Sequence, residues 1–194
     1  MKLEAYEKEI LKNYNYIEKL EEIIPLKKAE IELKLWNKVK EKLEEKLKTK
    51  PTVESYDFIE DSMEYLLQKH VDILFFKLEN LEKYYEEPIY LGIGRYLAKK
   101  GIYFSIADDF LDNKDKKYTS LLNKLKNNEN FKKWKSFNDK NLYLDLENEE
   151  LINLFNLGED DFYDLLEEEK LNKIVDIIVE LFCEEYEKLN TIKL

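Results

Sequence analysis

The sequence predicts a mainly α fold of the α+β class: an antiparallel helical bundle carrying a small antiparallel β-hairpin or three-stranded sheet. Three observations lead there. Long stretches place apolar residues at alternating steps of three and four, which keeps one stripe on one side of a helix. Only four glycines and three prolines occur in 194 residues, so turns are few and regular elements long. One segment, residues 89–107, changes to period-two alternation on either side of a glycine, the pattern of a hairpin.

The organising element is expected to be a helix from about Thr52 to Tyr85, with Tyr56, Ile59, Met63, Leu66, His70-Val71, Leu74, Leu78, Leu81 and Tyr85 on its stripe. At 1.5 Å per residue it would be about 50 Å long, enough to seat other helices. Upstream, Leu3, Tyr6, Ile10, Tyr14 (or Asn13), Ile17, Leu20 and Ile24 share one stripe, and Pro25 is expected to end that helix. A second helix follows from about Leu26 to Lys48, through Leu35-Trp36, Val39, Leu43 and Leu47. Pro51 marks a break, after which Thr52 or Ser55 can cap the central helix. Residues 1–87 therefore read as a three-helix antiparallel bundle. Residues 88–194 read as a hairpin plus helices packed on it, the two parts forming one compact domain. The stripes would also permit a coiled-coil homodimer, but Tyr and Trp widen them beyond a narrow seam and favour an intramolecular bundle.

In the second part, Ile89, Leu91 and Ile93 alternate with Tyr90, Gly92 and Gly94, and Ile102, Phe104 and Ile106 with Tyr103, Ser105 and Ala107. Residues 108–117 are polar and read as a loop, and 118–127 as a short helix. Phe131, Trp134 and Phe137 follow at helical spacing, while Leu142, Leu144 and Leu146 alternate as a third strand beside the hairpin. Residues 149–157 and 160–168 read as short helices. The last helix, Leu171 to about Leu189, is apolar on more than half its circumference, which implies burial between two layers and packing on the central helix.

The net charge of −11 repels nucleic acid and anionic membranes and favours basic partners, including the positively charged grooves in which other proteins hold nucleic acid. The single cysteine, Cys183, excludes an intrachain disulfide and a cysteine-based zinc site, and its apolar surroundings suit a buried thiol. Met1-Lys2-Leu3-Glu4 opens no signal peptide, and no apolar run reaches the roughly 18–20 residues that span a bilayer. A cytoplasmic protein is expected.

Motifs for chemistry are sparse. The one histidine, His70, lies on the central stripe far from Cys183, so no nucleophile–base pair is visible. Gly92-Ile93-Gly94 lacks the third glycine of a dinucleotide fingerprint, since Leu97 stands there. Asp108, Asp109 and Asp112 lack the spacing of a calcium loop, and Glu159-Asp160-Asp161 suits a helix start. No catalytic residue, cofactor or metal site is assigned, and the chain reads as non-enzymatic. One basic-aromatic cluster stands out around the hairpin: Tyr85, Tyr90, Arg95, Tyr96, Lys99, Lys100 and Tyr103, with Tyr84 nearby. It is the candidate partner surface, and Arg95, the only arginine, its most specific side chain.

The order of Tyr6 to Trp36, the strands Ile89-Tyr90-Leu91-Gly92-Ile93 and Ile102-Tyr103-Phe104, and the Trp134 segment before the last helix resembles the C-terminal, post-catalytic region of large bacterial PD-(D/E)XK nuclease-superfamily proteins. Asp112-Asn113-Lys114 matches that superfamily's D/E-x-K tripeptide, but in a polar stretch instead of a core strand, so no catalytic residue is carried over. The expected function is an acidic protein–protein interaction module. In its sharpest form it is an inhibitor that occupies the basic groove of a nuclease or other nucleic-acid-binding effector, in the way of small anti-CRISPR proteins. A stand-alone accessory part of a nuclease or restriction system is the alternative.

Overall fold

His70-Val71-Asp72-Ile73-Leu74-Phe75-Phe76-Lys77 is a strand at the heart of an antiparallel sheet, not the middle of a helix. The computed structural model describes residues 13–54, 70–85, 88–96, 101–108, 116–137, 141–148, 151 and 164–194. Its elements are α1 (Tyr14–Leu47), β1 (Val53–Glu54), β2 (His70–Lys77), α2 (Glu79–Glu82), β3 (Ile89–Tyr96), β4 (Ile102–Asp108), α3 (Lys116–Asn127), a 3₁₀ turn (Glu129–Phe131), β5 (Lys135–Phe137), β6 (Asn141–Asp145) and α4 (Glu168–Thr191). Among the described residues the sheet has six strands in the order β1-β2-β3-β4-β6-β5, each pair antiparallel.

The expected helical bundle is thus corrected to a mixed α+β architecture. The stripe that suggested a central helix passes through His70 and Leu74, a step of four that sequence alone cannot tell from strand spacing, and β2 carries a bulge between Asp72 and Leu74 that breaks its alternation. Aromatic and β-branched neighbours decide for the strand. Residues 55–69, the rest of that expected helix, lie outside the described residues. The proposed division at 87/88 falls within one sheet, because β2 pairs with β3 from Lys77↔Tyr90 to His70↔Tyr96.

Pro25 does not end a helix, since α1 runs unbroken through it. Its neighbours Ile23, Ile24 and Leu26 are exposed. In a stretch this open to water, the carbonyl that proline leaves unmatched is solvated at small cost. From Lys28 onward α1 joins the core, burying Ala29, Leu35, Trp36, Val39 and Leu43. It ends where Lys48 turns left-handed at φ 55°.

The hairpin forms as β3 and β4, joined across a left-handed Gly101 at φ 63°, and β6 lies beside β4. Phe131, Trp134 and Phe137 do not share a helix: the first closes the 3₁₀ turn and the last ends β5. Residues 149, 150 and 152–163 lie outside the described residues, and with them most of the expected helix at 149–157 and the first four residues of that at 160–168, whose described part ahead of α4, 164–167, is a turn.

Alternation gives the sheet two unlike faces. Leu74, Phe76, Leu91, Ile93, Phe104, Ile106 and Leu142 join the main core with α1 and α4. Phe182 of α4 meets Phe76 and Phe104 edge-on, each with ring centroids 5.3 Å apart. The last helix therefore packs on the sheet and on α1, instead of on a central helix. Lys34 and Lys38 pair with Glu168, and Lys42 with Asp176, so the contacts advance in the same direction and the two helices run parallel. The two ammonium groups hydrogen-bonded to Glu168, Lys34 first, hold its carboxyl down at about 2.

The opposite face carries Phe75, Tyr90, Gly92, Tyr103 and Ser105, all buried. A Cβ at Gly92 would lie 2.5 Å from Ser105 Oγ and 2.7 Å from Phe75 Cε1. Gly92→Ala is accordingly expected to cost about 1–3 kcal/mol, as overpacking does in a tight core. A lowered urea midpoint at unchanged slope checks it.

Candidate functional site

Arg95 shares the inward face of β3 with Leu91 and Ile93, and the fold uses it there. Its Nε donates to Glu32 Oε2 at 2.6 Å, and both side chains are 0% exposed. Lys28, one turn earlier on α1 and also buried, stands 3.6 Å from Glu32 Oε1. Burial raises the Glu32 carboxyl above its ordinary range, against the pull of Arg95 and Lys28. Burial likewise lowers the Lys28 ammonium, with Glu32 opposing. The arrangement is a buried ion cluster that ties α1 to the sheet.

The rest of the basic-aromatic cluster is divided by the fold. Tyr90 and Tyr103 are buried on the sheet face opposite Arg95. Tyr85 is buried against Tyr118, with ring centroids 5.6 Å apart. Tyr84 is exposed, and its hydroxyl accepts from the Leu194 backbone N–H at 3.3 Å. Tyr96 closes β3 with its Cα opposite His70; neither side chain, nor Lys99 and Lys100, is among the described residues. The described members of this cluster other than Tyr84 are thus interior side chains.

A second charged surface, accessible to solvent, lies on α4 and in the groove at its flank. Asp176, Glu180, Glu184 and Glu187 recur at steps of four, four and three and are all exposed, so they form one acidic row. The other side of the helix is locked into the core by Leu171, Ile174, Val175, Ile178, Val179, Phe182 and Leu189. An amphipathic helix held this way presents its carboxylates at fixed spacing. The row was readable from the same periodicity that predicted the helix, but in a chain with 43 acidic residues no single row stands out.

Beside Glu184 and Glu185 lies a groove of about 720 Å³, bounded by α4, the segment 129–135 and the end of β6 with the residues after it. Its floor is Trp134, Leu144, Leu146 and Leu181. The Trp134 indole N–H donates to Glu185 Oε2 at 3.2 Å, and the ring packs near Phe131. Five carboxylates and four lysines line it. Three of those lysines are engaged with its own carboxylates: Lys132 with Glu129, Lys135 with Asp145 and Lys188 with Glu185. Glu147 and Glu184 remain as exposed carboxylates at its margin. Sequence reading noticed Trp134 but not the groove, which exists only once β6 and α4 converge.

Neither geometry nor electrostatics builds a nucleophile among the described residues. Cys183 is half-buried, and burial pushes its thiol up, away from the reactive thiolate. Among the described residues no group of three or more His, Cys, Asp or Glu is placed to hold a metal ion. Asp109, Asp112-Asn113-Lys114 and Glu159-Asp160-Asp161 lie outside the described residues, and Asp108 ends β4. Among the described residues no helix is long and apolar enough to cross a membrane. No family model, curated protein or solved structure matches the chain.

Proposed function

We propose that this chain is a non-enzymatic interaction module that docks the acidic face of α4 on a basic protein surface, with the nucleic-acid groove of an effector or nuclease as the fitting kind of target. The observation that carries this reading is the exposed row Asp176, Glu180, Glu184 and Glu187 on a helix whose other side is fixed in the core. A groove that binds nucleic acid reads a regular line of phosphates. A rigid line of carboxylates answers the same cations without the flexibility of a disordered acidic tail, which would have to be ordered on binding. The net charge of −11 adds long-range attraction, which raises the association rate more than it slows dissociation.

The test is association with a panel of basic nucleic-acid enzymes at rising salt, followed by charge reversal. Binding to a true partner is expected to weaken steeply as ionic strength rises through the range where the screening length falls below about 10 Å. Glu180→Lys together with Glu187→Lys is expected to slow association by about 10-fold or more, with the melting temperature little changed because both residues are exposed. A panel with no salt-sensitive partner, or a partner indifferent to the double reversal, overturns the reading.

A further inference from the structure

The groove beside α4 shares Glu184 with the acidic row and adds what the row lacks, a concave shape and an apolar floor. We propose that it is a pocket for an arginine-bearing extended segment of the partner protein. The aliphatic stem of that arginine would lie on Trp134 and Leu181, and its guanidinium would meet Glu184 and Glu147.

Size is the first argument. About 720 Å³ falls within the range of sites that enclose a small ligand, so it suits a few residues of extended chain and not a folded surface. Charge is the second. Lys132, Lys135 and Lys188 are each paired with a carboxylate of the groove, which leaves the exposed Glu147 and Glu184 against the one further lysine of the lining, Lys133, a balance of one negative charge that favours a cation. Chemistry chooses between the two cationic side chains. The guanidinium is planar, more weakly hydrated than an ammonium and forked to match a carboxylate, so it gives up less on entering a half-apolar groove.

This inference rests on the reading of the chain as a module for basic partners, but it can fail separately, because a short peptide probes the groove without the rest of the row. The probe is a blocked five-residue peptide with one arginine beside one leucine, compared with the same peptide carrying glutamate for arginine. The chain has only two tryptophans, Trp36 deep in the core and Trp134, 4% exposed, at the point where the core reaches the groove, so its indole N–H region holds two signals. Trp134→Phe assigns them.

The arginine peptide is expected to shift the Trp134 signal saturably and leave that of Trp36 in place, while the glutamate peptide shifts neither. Glu184→Lys, on the exposed side of α4, is expected to weaken binding about 10-fold. Glu41→Lys, an exposed reversal on α1, is expected to leave it unchanged. No movement of the Trp134 signal up to about 1 mM peptide, a concentration that would detect even roughly 4 kcal/mol of affinity, overturns the proposal. Equal weakening by Glu41→Lys and Glu184→Lys also overturns it, since that outcome marks diffuse charge attraction instead of a pocket.

Discussion

Glu32→Ala is expected to destabilise the fold by about 3–5 kcal/mol, the cost of leaving a buried charge without its partner. Arg95 has no exposed atoms with which to find water, and its Nε is aimed at a carboxylate 2.6 Å away. Removing that carboxylate takes away the anion that Arg95 and the buried Lys28 share. Lys28 can shed its proton; Arg95 cannot. Arg95→Met alone is expected to be less severe, because Glu32 keeps Lys28 and its carboxyl, already raised by burial, can neutralise itself. The double variant Glu32→Leu with Arg95→Met is expected to recover part of the loss, since two apolar side chains need no desolvation and Lys28, left without its carboxylate, can shed its proton. Urea unfolding compares the four proteins: at ordinary slopes for small proteins, the single Glu32 loss moves the midpoint by about 1 M or more. A double variant as unstable as Glu32→Ala would show that the pair fixes the geometry of α1 on the sheet instead of merely neutralising itself.

Phe182→Ala is expected to cost a further class of interaction, about 3–5 kcal/mol through the cavity it leaves. Phe182 is fully buried and is the aromatic hub between layers, edge-on to Phe76 and Phe104 and stacked near Tyr186 at 6.3 Å. For a chain of this length each kcal/mol lowers the melting temperature by roughly 2–4 °C, so a fall of roughly 6–20 °C is expected. Leu181→Ala, half-buried at the neighbouring position, is expected to cost less, and a comparable loss there would mean that α4 is held by its whole surface and not by this contact.

Those two positions also show what could be read from the chain in advance. Phe182 lies in a broad apolar helical run whose one side does enter the core, but α4 is not enclosed between two layers, since Asp176, Glu180, Glu184 and Glu187 leave its other side open to water. Arg95 was assigned to a surface by its charge, although the strand pattern around it says otherwise. Leu91, Ile93 and Arg95 are spaced by two, so the arginine had to share the leucine and isoleucine face. Its partner, Glu32, is 63 residues earlier on another element, and nothing local marks it. The hairpin was legible because Gly101 and period-two alternation agree. His70 to Lys77 was not, because a spacing of four satisfies both helix and strand, and only pairing with β3 resolves it. The Trp134 groove has no local signature at all, since its walls come from residues about 50 positions apart.

The parallel seating of α4 against α1 has a bearing on how the chain acquires its structure. Lys34 meets Glu168 across a separation of 134 positions, and the core between them is also the cover of the sheet. Closing a loop of that length costs about 4 kcal/mol of chain entropy before any contact repays it. During synthesis, a nascent chain that has emerged only as far as Gly158 carries α1 and the strands but no α4, so Phe76 and Phe104 lack the ring that covers them. Until α4 is in place the apolar face of the sheet stays open at Phe76 and Phe104, and its arrival covers that face while setting a row of carboxylates on the outside.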